Sequence, residues 1–517
     1  MKLPFINNKQ EQKIQKEDIQ GIVVRAYKSL NAARYVLLQI IPGNDSKEYL
    51  NGLIENYITP GNLDGDPKVA VNIAFTSSGL ENLGLQKDII NSFSREFAEG
   101  MSYSFYDRSN NLIEERRTLL GDIGRNNPAN WHWGNDNKVD CVIMLYAENT
   151  QALNALQSAV FSNKKGVEII HTMETFETKR NISKEHFGFR DGISQPLIAG
   201  LGSKSEDAKD KELIKPGEFI LGYLNEYDNY SPSPAVPNCD RSKDLDSIIG
   251  HQKKNLGKNG TYMVFRQIEQ HVEKFWDFLY HNSKEKHATQ LGAAIKLGSK
   301  MIGRWPEGQP IVTCPEGGCP ITDNSLNDFN FNELDEYGVN CPLGAHIRRT
   351  NPRDQVHTGR GPKDSLAMSK RHRMLRRGRI YGEPLAEKMD IEKMLAQIKQ
   401  NKLEEKKQGS SDTTKENEKV KTVRGLHFIC MVSDIGRQFE FIQSVWANTS
   451  TFGDLCNEVD PMISPRPTKD QPHCHEFTTP QEIVRNRYKN VPEFTTVVGG
   501  AYFFMPGIKA LKYILKL

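Results

Sequence analysis

Two apolar blocks open the patterned part of the chain. Gly21-Ile-Val-Val-Arg-Ala-Tyr27 predicts a buried strand, and Ala33-Arg-Tyr-Val-Leu-Leu-Gln-Ile-Ile-Pro42 a strand or strand-helix junction, since both are rich in β-branched and apolar residues and the second stops at Pro-Gly. After a stretch with helical spacing, Val69-Ala-Val-Asn-Ile-Ala-Phe75 alternates as a strand and Asp140-Cys-Val-Ile-Met-Leu-Tyr146 gives another. An amphipathic helix is expected from Thr150 to about Asn163, with Gly166-Val-Glu-Ile-Ile-His-Thr172 as the strand after it. The second half repeats this grammar. Glu218-Phe-Ile-Leu-Gly-Tyr223 and Gly260-Thr-Tyr-Met-Val-Phe-Arg266 read as strands, the latter running into a helix through Phe275-Trp-Asp-Phe-Leu-Tyr280. Gly425-Leu-His-Phe-Ile-Cys-Met-Val432 leads to a helix at Gln438-Phe-Glu-Phe-Ile-Gln-Ser-Val-Trp446, and Thr495-Thr-Val-Val-Gly-Gly-Ala-Tyr-Phe-Phe-Met-Pro506 closes the series.

Strands alternating with single helices, without a phosphate-cradling glycine loop between them, indicate α+β sandwich units rather than a nucleotide-binding doubly wound sheet. Two halves of similar type imply a cleft between them. The expected divisions are a polar segment 1–18, a first domain 19–215 and a second domain 216–517. Residues 388–421 break the pattern: the first part predicts a charged surface helix and the rest is too polar to bury anything, so the segment reads as an insertion on the body.

Charge changes this picture little. Lys and Arg number 68 against 65 Asp and Glu, a formal net charge of +3, which gives no case for nucleic acid as a partner. No run of about 18 apolar residues predicts a membrane span, and the N-terminus carries neither a signal-type apolar core nor twin arginines, so a cytoplasmic protein is expected. Eight scattered cysteines suit a reducing compartment. Cys314-Pro-Glu-Gly-Gly-Cys319 with His473-Cys-His475 matches no standard zinc spacing.

Three stretches carry chemistry. His186-Phe-Gly-Phe-Arg-Asp-Gly-Ile-Ser-Gln-Pro196 sets Asp191 between Gly188 and Gly192, which free the backbone to approach a flat or bulky group; an Asp that caps its own turn is the competing reading. In Asn340-Cys-Pro-Leu-Gly-Ala-His-Ile-Arg-Arg-Thr-Asn-Pro-Arg353, His346 precedes Arg348, Arg349 and Arg353, a setting for a metal ligand in an anionic cofactor or for a structural histidine. Arg371-His-Arg-Met-Leu-Arg-Arg-Gly-Arg-Ile-Tyr-Gly382 groups five arginines without the interleaved aromatics of a nucleic-acid surface.

Gly188-Phe-Arg-Asp-Gly192, Cys341-Pro-Leu-Gly-Ala-His346-Ile-Arg-Arg-Thr-Asn-Pro-Arg353, Met374-Leu-Arg-Arg-Gly-Arg-Ile-Tyr-Gly382 and Gln438-Phe-Glu-Phe-Ile-Gln443, in that order, resemble the dye-decolorising (DyP-type) haem peroxidases. Leu120-Gly-Asp122, Trp131-His-Trp-Gly134, Gly303-Arg-Trp-Pro306 and Val498-Gly-Gly-Ala-Tyr-Phe-Phe-Met-Pro-Gly507 resemble that family's framework, so the likeness runs from about residue 20 to the end, apart from 388–421. The resemblance implies two ferredoxin-like α+β domains packed together with one haem b in the C-terminal half, hydrogen peroxide and an organic reducing donor as substrates, and no membrane or nucleic-acid partner; homo-oligomerisation is left open. It implies His346 as the iron's axial ligand, Asp191 as the distal acid-base residue and Arg376 as the distal arginine. Gly188, Phe189 and Gly192 would line the cofactor, and Arg348 or Arg349 would meet a propionate. Asp434, or second Glu440, is expected to hold the Nδ1 proton of His346, and Trp305 or Tyr381 could relay electrons. An aspartate, with a reference pKa of about 3.9, stays deprotonated and able to take a proton where a histidine would already be protonated, which suits turnover at acidic pH. The alternative function is haem storage or haem-iron release without turnover.

Overall fold

Four strands of the first half, β1 (Ala32–Ile40), β2 (Val69–Phe75), β3 (Cys141–Ala147) and β4 (Val167–Glu174), lie side by side in the order β2-β3-β1-β4, every neighbour antiparallel. The second half repeats the arrangement with β5 (Thr261–Gln270), the short pair β6 (Leu375–Arg376) and β7 (Arg379–Tyr381), β8 (Gly425–Val432) and β9 (Thr495–Met505). There β8 stands between β6/β7 and β5, and β9 flanks β5 on the other side. Each half therefore has the strand order of a ferredoxin-like fold. The halves join where Phe504 of β9 faces Phe75 of β2, so one nine-stranded sheet passes through both. The structure, a computed structural model, describes residues 13–106, 112–135, 139–177, 184–201, 213–248, 251–283, 289–322, 326–356, 361–408, 422–466, 475–480 and 484–516.

The uninterrupted apolar runs have a simple cause: both faces of the sheet are covered. Val36, Leu38, Val71, Ile73, Ile143, Val264 and Phe504 point to one face, against Leu50 and Leu53 of helix α1 (Asn44–Asn56) and Leu153 and Leu156 of α2 (Thr150–Phe161). Their alternates, among them Tyr35, Leu37, Met144, Met263, Phe265 and Phe503, fill a second core on the other face. The start of α2 is set by Asn149, whose side chain accepts from Ala152 N at 2.9 Å, a cap of about 1 kcal/mol. Three further helices, α3 (Val272–Asn282), α4 (Gln290–Ile302) and the single turn α5 (His346–Thr350), build the second half around the site.

Three predicted elements take other forms. Residues Gly21–Val24 make one helical turn instead of a strand, because Gly21 N–H is spent on Thr59 O and a Cβ there would meet Pro60 O at 3.0 Å. The block at 218–223 is a 3-10 turn followed by buried loop: Pro216 starts the turn, and Glu218 is fixed by a 2.7 Å ion pair with Arg437, which leaves Phe219 and Ile220 in the core without a ladder. The helix expected at 438–446 runs from Gly436 to Ala447 in π-helical geometry.

The segment predicted as a surface insertion is more than that. Helix α6 (Ile391–Gln408) buries Ile391, Met394, Leu395 and Ile398 in a cluster with Phe187, Phe275 and Trp276. Asn401 Nδ2 donates to Glu273 Oε1 at 3.1 Å and Lys399 stands 4.4 Å over the Tyr280 ring, tying it to α3. Residues 409–421 lie outside the described ones. Cys314 and Cys319, expected as thiols, are joined in a disulfide, which removes them as zinc donors; His473 and Cys474 lie outside the described residues. Among the described residues no helix is long and apolar enough to cross a membrane.

His186, His372 and His427 are buried, and burial pushes each down to about 4. His186 Nε2 and His427 Nε2 face the carbonyls of Tyr381 and Glu174, while both Nδ1 atoms lack a partner among the described residues, so a second proton would be stranded. Folded values below the unfolded one of about 6.5 give stability that is complete above that pH and lost as pH falls toward 4, at most about 3 kcal/mol per ring. The melting temperature of the purified chain is therefore expected to drop between pH 7 and pH 4; a flat profile would show that these rings accept protons freely.

Candidate active site

A cavity of about 340 Å³ opens between the loop 185–195, the ends of β5, β8 and β9, and α5, and it gathers Asp191, His346 and Arg376 in one wall system. Ile268, Leu426, Phe428, Phe439, Met462 and Val497 make much of that wall apolar. Its volume is in the range of small-molecule sites.

His346 opens α5. Its Nδ1 lies 2.9 Å from Asp460 Oδ2, and Asp460 is itself pinned because its Oδ1 accepts from Met462 N at 2.8 Å and Ile463 N at 3.1 Å. Burial works against charge on both partners. For His346 the Asp460 carboxylate outweighs it and raises the imidazole's proton affinity; for Asp460, fully buried, His346 and then Arg349 hold the carboxyl below its usual range. The pair thus fixes Nδ1 as the protonated nitrogen and turns the Nε2 lone pair into the available donor, the usual arrangement of a metal-ligating imidazole.

The carboxylates expected beside His346 lie elsewhere. Asp434 accepts from Arg437 N at 2.9 Å, and Glu440 sits in an ion pair with Arg116 at 2.9 Å while taking the Tyr502 hydroxyl at 2.7 Å. Arg348 and Arg349 do not reach the cavity either. Arg348 donates to Asp335 and Cys341 O, and Arg349 to the carbonyls of Trp446, Thr449 and Glu458, so both brace the turns around α5. Gly188 faces away: a Cβ there would come within 3.0 Å of Ile391 and Met394 of α6. Phe189 and Gly192 do line the cavity, with Phe189 parallel to Trp276 at 6.2 Å.

Asp191 is exposed at the cavity wall, and its carboxylate has no hydrogen-bond partner among the described residues. Gly192 beside it has φ +75° with open space around its Cβ position, so conformation is what requires glycine there. Arg376 anchors one guanidinium nitrogen on Ile193 O at 2.7 Å, and its backbone N–H donates to Gln195 Oε1 at 3.1 Å. Arg304, Arg353 and Arg373 also line this end. Burial, reinforced by Arg376, brings Arg304 and Arg373 down to about 10. Cations crowded this way favour an anionic guest.

Sequence reasoning missed Asp460, which lies in an unpatterned loop with no local signal beyond Asp-Pro. It also missed Glu185, one residue before the acid motif. Glu185 lines the cavity and accepts from Phe187 N at 2.9 Å, Phe189 N at 3.0 Å and Gln270 Nε2 at 2.5 Å. Burial pushes it up to about 7 against those donors, and the charge of Asp191 adds to the rise.

A family model described as the DyP dimeric alpha+beta barrel domain matches residues 54–180. The dye-decolorizing peroxidase msp1 of Mycetinis scorodonius is 27% identical over 96% of this chain and 87% of its own. The solved fungal DyP-type peroxidase of Auricularia auricula-judae superposes with a TM-score of 0.72, at 21% identity, over 98% of this chain and 100% of that one. A dye-decolorizing peroxidase solved with 2,6-dimethoxyphenol gives 0.71 at 23% identity, over 98% and 100%.

Proposed function

We propose, from the premise that this chain belongs to the dye-decolorising peroxidase family, that it is a haem-dependent peroxidase reducing hydrogen peroxide at the expense of organic donors such as phenolics or dyes. The observation that carries the reading is the pairing of His346 with buried Asp460 in the same cavity as Asp191 and Arg376. The residues fit haem b: an imidazole with Nε2 available, apolar walls for a flat ring, and arginines to meet two propionates, with Arg353 and Arg373 taking the place expected of Arg348 and Arg349.

When bound, the haem would supply a redox-active iron through which the oxidising equivalents of peroxide pass to the donor. His346 would hold that iron, and Asp460 would keep the Nδ1 proton so that the ligand nitrogen stays electron-rich. Asp191 would take the proton from one peroxide oxygen and give it to the departing one. Because that carboxylate has no hydrogen-bond partner among the described residues, it can exchange its proton with a guest. Arg376 would stabilise the negative charge that develops on the leaving oxygen, about 3 kcal/mol for one well-placed donor.

The test is the absorption spectrum of the haem-reconstituted protein before and after one equivalent of hydrogen peroxide. A Soret band that shifts within the mixing time, and returns when a phenolic donor is added, is the expected result. A Soret band that does not respond would support haem binding without turnover, and no Soret band would remove His346 from the role.

A further inference from the structure

We propose that Glu185 is a positioning residue for Asp191, acting through the backbone of the loop between them; this rests on the peroxidase reading above. A carboxylate with no hydrogen bond of its own is only as well placed as the chain that carries it, and Asp191 is such a carboxylate among the described residues. The chain that carries it is wrapped around Glu185. The Phe187 and Phe189 amides both donate to the Glu185 side chain, Gly188 N donates to Glu185 O at 2.8 Å, and Glu185 N donates to Phe189 O at 2.9 Å. Gln270, at the end of β5, ties the same carboxylate to the sheet.

The outside of the turn is closed as firmly. Trp276 Nε1 donates to Phe187 O at 3.0 Å, and at Gly188, where φ is +93°, Met389 O, Ile391 and Met394 leave no room for a Cβ. Arg190 N, next to Asp191, is fastened to Pro306 O at 2.9 Å. The loop has one internal acceptor for two of its amides, and that acceptor is Glu185. A neutral amide in its place keeps one acceptor oxygen but sets an NH2 group against the donors at the other, so Glu185→Gln replaces part of the clamp with a repulsion while keeping size.

The experiment uses the full chain in two states. In the haem-free protein, hydrogen exchange of the Phe187 and Phe189 amides is expected to be slow and to rise about tenfold or more in Glu185→Gln, with the strand amides of β5 and β8 unchanged. In the haem-loaded protein the bimolecular rate with peroxide is expected to fall about tenfold to hundredfold at equal Soret absorbance, the scale of an ångström-level misplacement, while oxidation of the donor in the following step keeps its rate. Glu185→Asp, which keeps the charge but withdraws it by one methylene, should fall between. If the loop amides loosen and the peroxide rate holds, Glu185 orders the loop without serving Asp191, and the inference fails; it fails equally if neither changes. Should Glu185→Gln not fold, Gln270→Leu, which removes one donor and keeps the carboxylate, is expected to lower the peroxide rate several-fold, and no change overturns the proposal. A wild-type chain that binds haem but ignores peroxide would instead refute the peroxidase reading, and the exchange measurement would still decide whether Glu185 is the clamp.

Discussion

Asp191→Asn is expected to slow the reaction with hydrogen peroxide by about 10²- to 10⁴-fold, the usual contribution of a positioned acid-base group, with haem content and melting temperature unchanged. Asparagine has the same shape and can still accept a hydrogen bond, but it cannot carry a proton from one oxygen to the other. Asp191 makes no hydrogen bond to the described protein, so its loss strands nothing and the fold has no reason to respond. Arg376→Ala tests the second half of the step. It gives up the bond to Ile193 O, and its expected cost is about 10²- to 10³-fold, comparable to losing one oxyanion donor. Stopped-flow traces at the Soret wavelength measure both. A peroxide rate constant within twofold of wild type in both variants would take the two residues out of the chemistry.

At the other pole of the cavity, His346→Ala is expected to abolish tight haem binding, and Asp460→Asn to weaken it about 10- to 100-fold, as the loss of an outer partner does for ligating histidines. The asparagine keeps the bonds from Met462 N and Ile463 N, so the loop should hold its form. What it loses is the negative charge that raises the proton affinity of His346. Haem titration gives the affinity, and the iron's reduction potential gives an independent reading: it should rise when the imidazole becomes a poorer donor. An Asp460→Asn protein with unaltered affinity and potential would show that the pair is a structural contact only.

Seven of the nine strands were legible as apolar runs, and six of those are buried on both faces; β4 is the exception, with Glu168, Ile169, Thr172 and Glu174 exposed. β2, β8 and β9 fall where the apolar runs place them, and β1, β3, β4 and β5 within a few residues of it. Gly21–Tyr27 and 218–223 misled for the same reason: their side chains are core, but their amides are taken by Thr59 O, Pro216 O and Gly260 O, which apolar pattern cannot foresee. At the site, motifs carried Asp191, His346 and Arg376 into one cavity because local glycines and arginines mark them. The carboxylate partner of His346 was beyond reach. Asp434 and Glu440 lie in a recognisable motif region, whereas Asp460 arrives across 114 residues of chain through a loop without periodicity. The insertion was misjudged through its composition: charge on the outer face of α6 hid an inner face that the acid loop leans on.

The order in which the nine strands leave the ribosome differs from the order in which they stand. β9 is synthesised after the other eight, yet it stands between β5 and β2 and carries Thr495 and Val497 of the cavity wall. Until it is added, one ferredoxin-like unit and a second that lacks its last strand leave the edges of β2 and β5 open, the kind of surface that invites pairing with other chains. The cavity wall is therefore complete only after the last strand has been synthesised, and any fragment cut before residue 495 should aggregate rather than fold into a smaller version of the protein.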